Sequence, residues 1–141
     1  MAKKNLKYQS PGINEETRFE KLHTVTFENS KDASILIARE ICDLIKAKQE
    51  KKKNCVIGFA TGSSPTKVYQ EIIRIHNEES LSFYNVIAFN LDEYYPIDKD
   101  DNNSYHHFMN DNLFSHIDIP KENINIPSGE ISEKEIKKFC A

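Results

Sequence analysis

An α/β fold built on parallel strands is what this sequence predicts. Two short, continuous apolar runs, Cys55–Ala60 and Val86–Leu91, have the length and composition of strands, and the first suits a strand buried on both faces. Between them lie a turn, Thr61-Gly62-Ser63-Ser64-Pro65, and an apolar stripe at helical spacing, Val68, Ile72 and Ile75. Strand, turn, helix and strand together have the size of one βαβ unit, with parallel strands and a right-handed crossover.

The other elements follow along the chain. Residues 1–20 are polar and without period, and read as an N-terminal arm ahead of a domain at 21–141. Leu22 to Phe27 has the β-branched character of a strand. Ser30 is placed to cap a helix with Asp32 in its first turn. Ile37, Ile41, Leu44 and Ile45 give that helix an apolar face as far as about Glu50. Its lysine-rich end, Lys46, Lys48, Lys51, Lys52 and Lys53, complements the helix dipole and lacks the interleaved aromatics of a nucleic-acid patch. Ser64 before Pro65 reads as the N-cap of the crossover helix. Ser104 can cap a further helix holding Phe108, Leu113 and Phe114. A brief strand is expected at Ile124 to Ile126, a turn at Pro127-Ser128-Gly129, and another amphipathic helix from Ser132 to Phe139. That last helix has no stop signal before Ala141, so the expectation is a domain not yet closed.

Composition narrows the function classes. Of 141 residues, 38% are hydrophobic and 29% charged, which excludes a disordered tail. No apolar run reaches the roughly 20 residues of a membrane helix. Met1 to Gly12 has lysines but no apolar core, unlike a signal peptide. A net charge of −3 gives no prior for nucleic acid or an anionic membrane. The three cysteines, Cys42, Cys55 and Cys140, have no metal-ligand spacing and read as reduced cytoplasmic thiols.

Two constellations can carry chemistry. The turn Thr61 to Ser64 follows a strand and opens a helix, where free N–H groups and a partial positive charge suit phosphate. Gly62 allows close backbone approach, and Thr61, Ser63 and Ser64 add hydroxyls. The loop has neither the lysine of a Walker P-loop nor the G-x-G-x-x-G spacing, which disfavours ATP and dinucleotides. Any helix start offers similar donors, so simple capping stays open. The second constellation is Asp92-Glu93, directly after the second strand and at the same sheet edge. A carboxylate there suits a general base acting beside a carbonyl, and a surface acidic turn is the alternative. Asp98, Asp100 and Asn102 imitate the start of a calcium loop. Asn103 stands where that loop needs glycine and Met109 where it needs glutamate, so calcium is disfavoured. Adjacent His106 and His107 point about 100° apart on a helix and read as surface or lid residues.

Longer blocks carry a resemblance. Ala60-Thr61-Gly62-Ser63-Ser64-Pro65 with Tyr69, then Phe89-Asn90-Leu91-Asp92-Glu93-Tyr94, then Ser104-Tyr105-His106-His107-Phe108-Met109, closely resemble the glucosamine-6-phosphate deaminase family. So do His116-Ile117-Asp118-Ile119-Pro120 and Glu122-Asn123-Ile124-Asn125, and the likeness spans about Leu22 to Gly129. It implies a Rossmann-like, doubly wound, mostly parallel sheet, incomplete in this chain. It also implies an amino-sugar phosphate isomerase/deaminase that converts glucosamine 6-phosphate to fructose 6-phosphate and ammonia. No metal or organic cofactor is implied. The partner is a small-molecule sugar phosphate, with no nucleic acid and no membrane, and family members often form homo-oligomers. Carried over by motif, Asp92 is the general base at C2, and Thr61, Gly62, Ser63 and Ser64 hold the substrate phosphate. Tyr105 belongs to the lid region, and Glu93 and Tyr94 give support. The family also carries a Gly-Asp-Gly-His type segment for ring opening and further basic residues for the phosphate, neither of which occurs before Ala141. The 141 residues by themselves are therefore expected not to turn over substrate. Two alternatives remain: a hydrolase like 6-phosphogluconolactonase, whose acidic pair is usually followed by arginine rather than Tyr94, and a non-catalytic sugar-phosphate-sensing domain.

Overall fold

A computed structural model of the chain describes residues 25–132 and 135. Three strands form one parallel sheet in the order β1-β2-β3: β1 at Cys55–Phe59, β2 at Val86–Asn90 and β3 at Ile124–Asn125. Helix α1 (Ser30–Glu50) precedes β1, α2 (Thr66–Glu79) crosses from β1 to β2, and α3 (Tyr105–Asn112) leads through two short 3₁₀ turns to β3. The βαβ unit expected from the two apolar runs is present. β1 and β2 pair in register from Cys55 with Val86 to Phe59 with Asn90. β3 is two residues long, and side chains extend its ladder. The amides of Asn123 and Asn125 donate to the Val86 and Ala88 carbonyls at 2.9 and 3.1 Å.

The first helix departs from its expected face. Asn29, not Ser30, is the N-cap, accepting from the Asp32 N–H at 3.0 Å. Its buried residues are Ser34, Ala38, Cys42 and Ile45, while Ile37 and Leu44 stand 46% and 48% exposed. The reason lies in packing against α2. Small side chains at Ser34 and Ala38 let the two helices approach, and that contact, not the row of largest side chains, sets the helix rotation. Polar ties fix the same orientation. Arg39 makes a two-pronged pair with Glu79 at 2.7 Å, and the Gln49 amide donates to the Ser82 carbonyl at 2.6 Å and to Asn85 Oδ1 at 2.9 Å.

The core lies on one side of the sheet. Ala38, Cys42 and Ile45 of α1 meet Tyr69, Ile72 and Ile75 of α2 over Cys55, Phe59, Val86 and Ala88, with Phe83, Met109, Leu113 and Phe114 completing the cluster. Cys42 and Cys55 are free, buried thiols, and burial pushes the Cys42 thiol up to about 11. The expectation of strands buried on both faces does not hold for β1. Cys55 and Phe59 are buried, but Val56 is 63% exposed and Gly58 is exposed. Among the described residues, β1 lies at the edge of the sheet and has helices over only one of its faces.

Other differences are local. Ser104 caps α3 as expected, accepting from the His107 N–H at 2.9 Å, but the helix stops at Asn112 and Phe114 begins a 3₁₀ turn. Val25 to Phe27 are not a strand. The rest of that expected strand, the arm at 1–20, Cys140 and most of the helix expected at Ser132 to Phe139 lie outside the described residues. Among the described residues, no helix is long and apolar enough to cross a membrane.

The rotation of α1 gives a direct test. Ala38→Asp forces a charge into the α1–α2 contact and should cost several kcal/mol, whereas Ile37→Asp, one residue away, should change stability by no more than about 0.5 kcal/mol. Urea denaturation followed by circular dichroism measures both, and equal losses would place the buried face wrongly.

Candidate active site at the strand ends

Because β1 and β2 run parallel and end opposite one another, their exits share one edge of the sheet. Asn90 locks the two ends together. It is buried, its amide donates to the Phe59 carbonyl at 2.9 Å, and its Oδ1 has no partner among the described residues. No role was expected for Asn90. A polar residue closing an apolar strand was the signal that could have found it.

The loop after β1 turns at Gly62, whose φ of +96° is a conformation that side-chain-bearing residues rarely adopt. Two hydroxyls brace it. Tyr69 of α2 donates to the Ala60 carbonyl, and Thr66 Oγ1 donates to the Gly62 carbonyl at 3.3 Å. Burial raises the Tyr69 phenol to about 12, so it remains a donor. Ser64 is not the N-cap of α2, contrary to expectation. Pro65 takes that position, and no side chain caps the helix. The cause is backbone geometry: Pro65 is already in the helical region at φ −81°, ψ −9°, one residue beyond the expected boundary. The 14-residue helix thus begins without a side-chain acceptor or an acid in its first turn, beside exposed Gly62, Ser63 and Ser64. Such a terminus retains its free N–H donors and partial positive charge.

Asp92 and Glu93 leave β2 in opposite ways. Asp92 is exposed at the strand exit. Glu93 turns inward, with its side chain only 2% exposed. Its carboxylate accepts from the N–H groups of Tyr94, Tyr105 and His106 and from His106 Nδ1, at 2.9, 2.8, 3.0 and 2.9 Å. Burial works to raise its pKa. Hydrogen bonds from Tyr105, His106 and Tyr94 outweigh burial and hold the carboxyl below its ordinary 4.5. Glu93 thereby satisfies the first N–H groups of α3 from 12 residues away and fixes that helix to the end of β2. The His106–Glu93 pair was not anticipated, since His106 read as a surface or lid residue. Its partner is distant in sequence and leaves no periodic trace.

The anchored helix delivers Tyr105. Its ring packs on Tyr94 with centroids 4.8 Å apart. The hydrogen-bonded Tyr94 hydroxyl raises the Tyr105 phenol above its ordinary value, desolvation and the Asp92 charge act the same way, and the Thr61 side chain opposes them. The structure brings together Thr61, Gly62, Ser63, Ser64, Asp92, Tyr94 and Tyr105 at one sheet edge, with Glu93 behind them. The calcium-like segment is spent on turns: Asp98 Oδ1 accepts from the Asp100 N–H and Asp101 Oδ1 from the Asn103 N–H, both at 2.8 Å. His107 pairs with Asp111 at 3.1 Å, one turn along α3.

The comparisons agree with this architecture. A family model described as glucosamine-6-phosphate isomerases/6-phosphogluconolactonase matches residues 28–138, and the chain belongs to that family. A glucosamine-6-phosphate deaminase of Treponema denticola is 45% identical over 111 residues, covering 78% of this chain and 40% of the relative. One from Borrelia garinii subsp. bavariensis is 44% identical over 124 residues, covering 81% and 45%. Among solved structures, a monomeric glucosamine-6-phosphate deaminase aligns with a TM-score of 0.76 and 38% identity, covering 82% of this chain and 46% of its own. A 6-phosphogluconolactonase from Thermotoga maritima, at 20% identity and a TM-score of 0.63 over 80% of this chain and 49% of its own, shares the fold. The chain thus spans less than half the length of these relatives.

Glu93 gives a pH-dependent prediction. A carboxyl depressed in the folded state stabilises above its unfolded pKa, and that contribution is lost as pH falls through the folded pKa. Glu93→Gln should lower unfolding free energy at neutral pH by about 1–3 kcal/mol and flatten the loss of stability below roughly pH 4.5. Denaturation curves across pH read both effects. Identical acid sensitivity in the two proteins would remove Glu93 from this role.

Proposed function

We propose that this chain supplies the phosphate loop and the general base of a glucosamine-6-phosphate deaminase. The observation that carries the reading is that two in-register parallel strands end together, so that the loop at Thr61 to Ser64 and the exposed Asp92 leave the sheet at one edge. The 44–45% identity to glucosamine-6-phosphate deaminases supports the choice of substrate.

In this reading the uncapped start of α2, with Gly62, Ser63 and Ser64, receives the 6-phosphate, because backbone N–H groups and the helix dipole favour an anion there. Asp92 faces the other end of the open-chain sugar and takes the proton from C2, leaving a 1,2-enolamine. A proton returned to C1 gives the 2-imine of the ketose. Water hydrolyses that imine, releasing ammonia and fructose 6-phosphate. Tyr105, held at the start of α3 by Glu93, orients the sugar chain. A soluble enzyme acting on cytoplasmic sugar phosphate fits this chemistry.

The test joins this chain to the portion of the Treponema denticola deaminase outside the segment they share. Ammonia release from glucosamine 6-phosphate is expected. Asp92→Asn should lower kcat by about 10²–10⁴-fold, the range of a lost general base. These 141 residues alone should release none. Hydrolysis of 6-phosphogluconolactone in place of ammonia release would move the chain to the lactonase branch. Binding of fructose 6-phosphate without any turnover would make it a sensor.

A further inference from the structure

Gly129 is buried in the turn that follows β3, and the contacts around it leave no room for a side chain. A Cβ built on it would lie 2.4 Å from Ile97 Cγ2, 2.5 Å from the Tyr94 carbonyl oxygen and 2.7 Å from the Ile97 carbonyl oxygen. Two of these neighbours are backbone, which cannot swing aside as a side-chain tip can. The backbone of Gly129 lies outside the positive-φ region that favours glycine. The demand at this position is thus for space, because one stretch of backbone closely approaches another.

Strand pairing explains why these segments meet. β2 and β3 run parallel with Phe89 opposite Asn125, so their exits share an edge. Tyr94 and Gly129 lie a few residues beyond those partners, one on each exit. The Ile97 N–H donates to the Gly129 carbonyl at 3.1 Å and closes the contact. Within the turn, Ser128 Oγ accepts from the Glu130 N–H at 3.2 Å. Tyr94 is consequently held on three sides. Its N–H donates to Glu93 at 2.9 Å, its carbonyl lies against Gly129, and its ring packs on Tyr105 with centroids 4.8 Å apart.

We propose that Gly129 is a positioning residue of the candidate site: it lets the β3 exit clasp the segment after Asp92-Glu93, and the clasp seats Tyr94 against Tyr105. Gly129→Ala breaks this seating. For the new Cβ to reach 3.4 Å, where ordinary contact begins, the Tyr94 carbonyl must retreat by about 0.9 Å from its 2.5 Å position. Glu93 holds the N–H side of the same residue, so the displacement passes to the Tyr94 ring and its packing on Tyr105. Misplacing a substrate-orienting group by about 1 Å can cost on the order of 10²-fold in rate. The effect on turnover rests on the deaminase reading, in which Tyr105 orients the sugar chain. The seating of Tyr94 does not rest on it.

Two measurements test the clasp. The first uses this chain joined to the unshared portion of the Treponema denticola deaminase. There Gly129→Ala should lower kcat/KM for ammonia release by at least about tenfold. Tyr94→Ala should lower it as well, and Gly129→Ala added to Tyr94→Ala should cost no more than about threefold further, because the two act through one contact. Glu130→Ala, in the same turn, should change it by less than about twofold. The second measurement uses this chain by itself. Nuclear Overhauser contacts between the Tyr94 and Tyr105 rings should be present and should vanish in Gly129→Ala. They should persist in Phe83→Leu, a core change just before β2, at the end of the sheet away from the site. If Gly129→Ala does not fold, the pair Gly129→Ala with Ile97→Ala, which removes the 2.4 Å contact, carries the same expectations. Full activity of Gly129→Ala, losses that multiply with those of Tyr94→Ala, or ring contacts that survive the substitution would each overturn the proposal. A joined protein that releases no ammonia before any substitution would reject the deaminase reading, and the ring contacts then decide the clasp by themselves.

Discussion

Two strands paired in parallel and in register must leave the sheet at the same edge. In this chain that geometry puts Phe59 opposite Asn90, so the loop after one and the acidic pair after the other begin as neighbours. Antiparallel pairing would have sent them to opposite ends. The Asn90 amide, donating to the Phe59 carbonyl, holds the two exits together where the ladder ends. The anion-favouring helix start at Gly62 to Ser64 and the free carboxylate at Asp92 both follow from this pairing.

A second constraint acts through one buried carboxylate. Glu93 is adjacent to Asp92 yet has the opposite environment, almost fully enclosed and accepting from the backbone of α3. A helix N-terminus buried without acceptors is costly, and a carboxylate is a strong acceptor for it. The same bonds hold Tyr105 at the exit of β2, where its ring packs on Tyr94. One acid of the pair is thus consumed in building, which leaves the other exposed and available.

The sheet is asymmetric in its environment. Its inner face is packed by α1 and α2, and their approach is allowed by Ser34 and Ala38 and fixed by Arg39 with Glu79. Its outer face displays Val56 and Phe89 around Gly58, which has nothing above it among the described residues. Hydrophobic burial drives this part of the fold from one side only, and the apolar surface left on the other side is a source of further free energy for association.

The βαβ unit was legible because apolar runs of strand length and helical spacing are local patterns, and so was the cap at Ser104. The loop at Thr61 to Ser64 and the pair Asp92-Glu93 stood out for the same reason: each directly follows such a run. Less legible were the rotation of α1, the boundary at Pro65 and the partners of Asn90 and His106. The largest apolar residues of α1 misled because helix contact selected small ones. By itself the sequence determined the strand and helix segments, the turn requiring Gly62 and the candidate residues beyond each strand. Only the tertiary structure decided which face of α1 is buried, which acid of the pair is exposed, and which face of β1 the described helices cover. The first set depends on residues a few positions apart, whereas the second depends on segments 12 or more residues apart competing for the same surface.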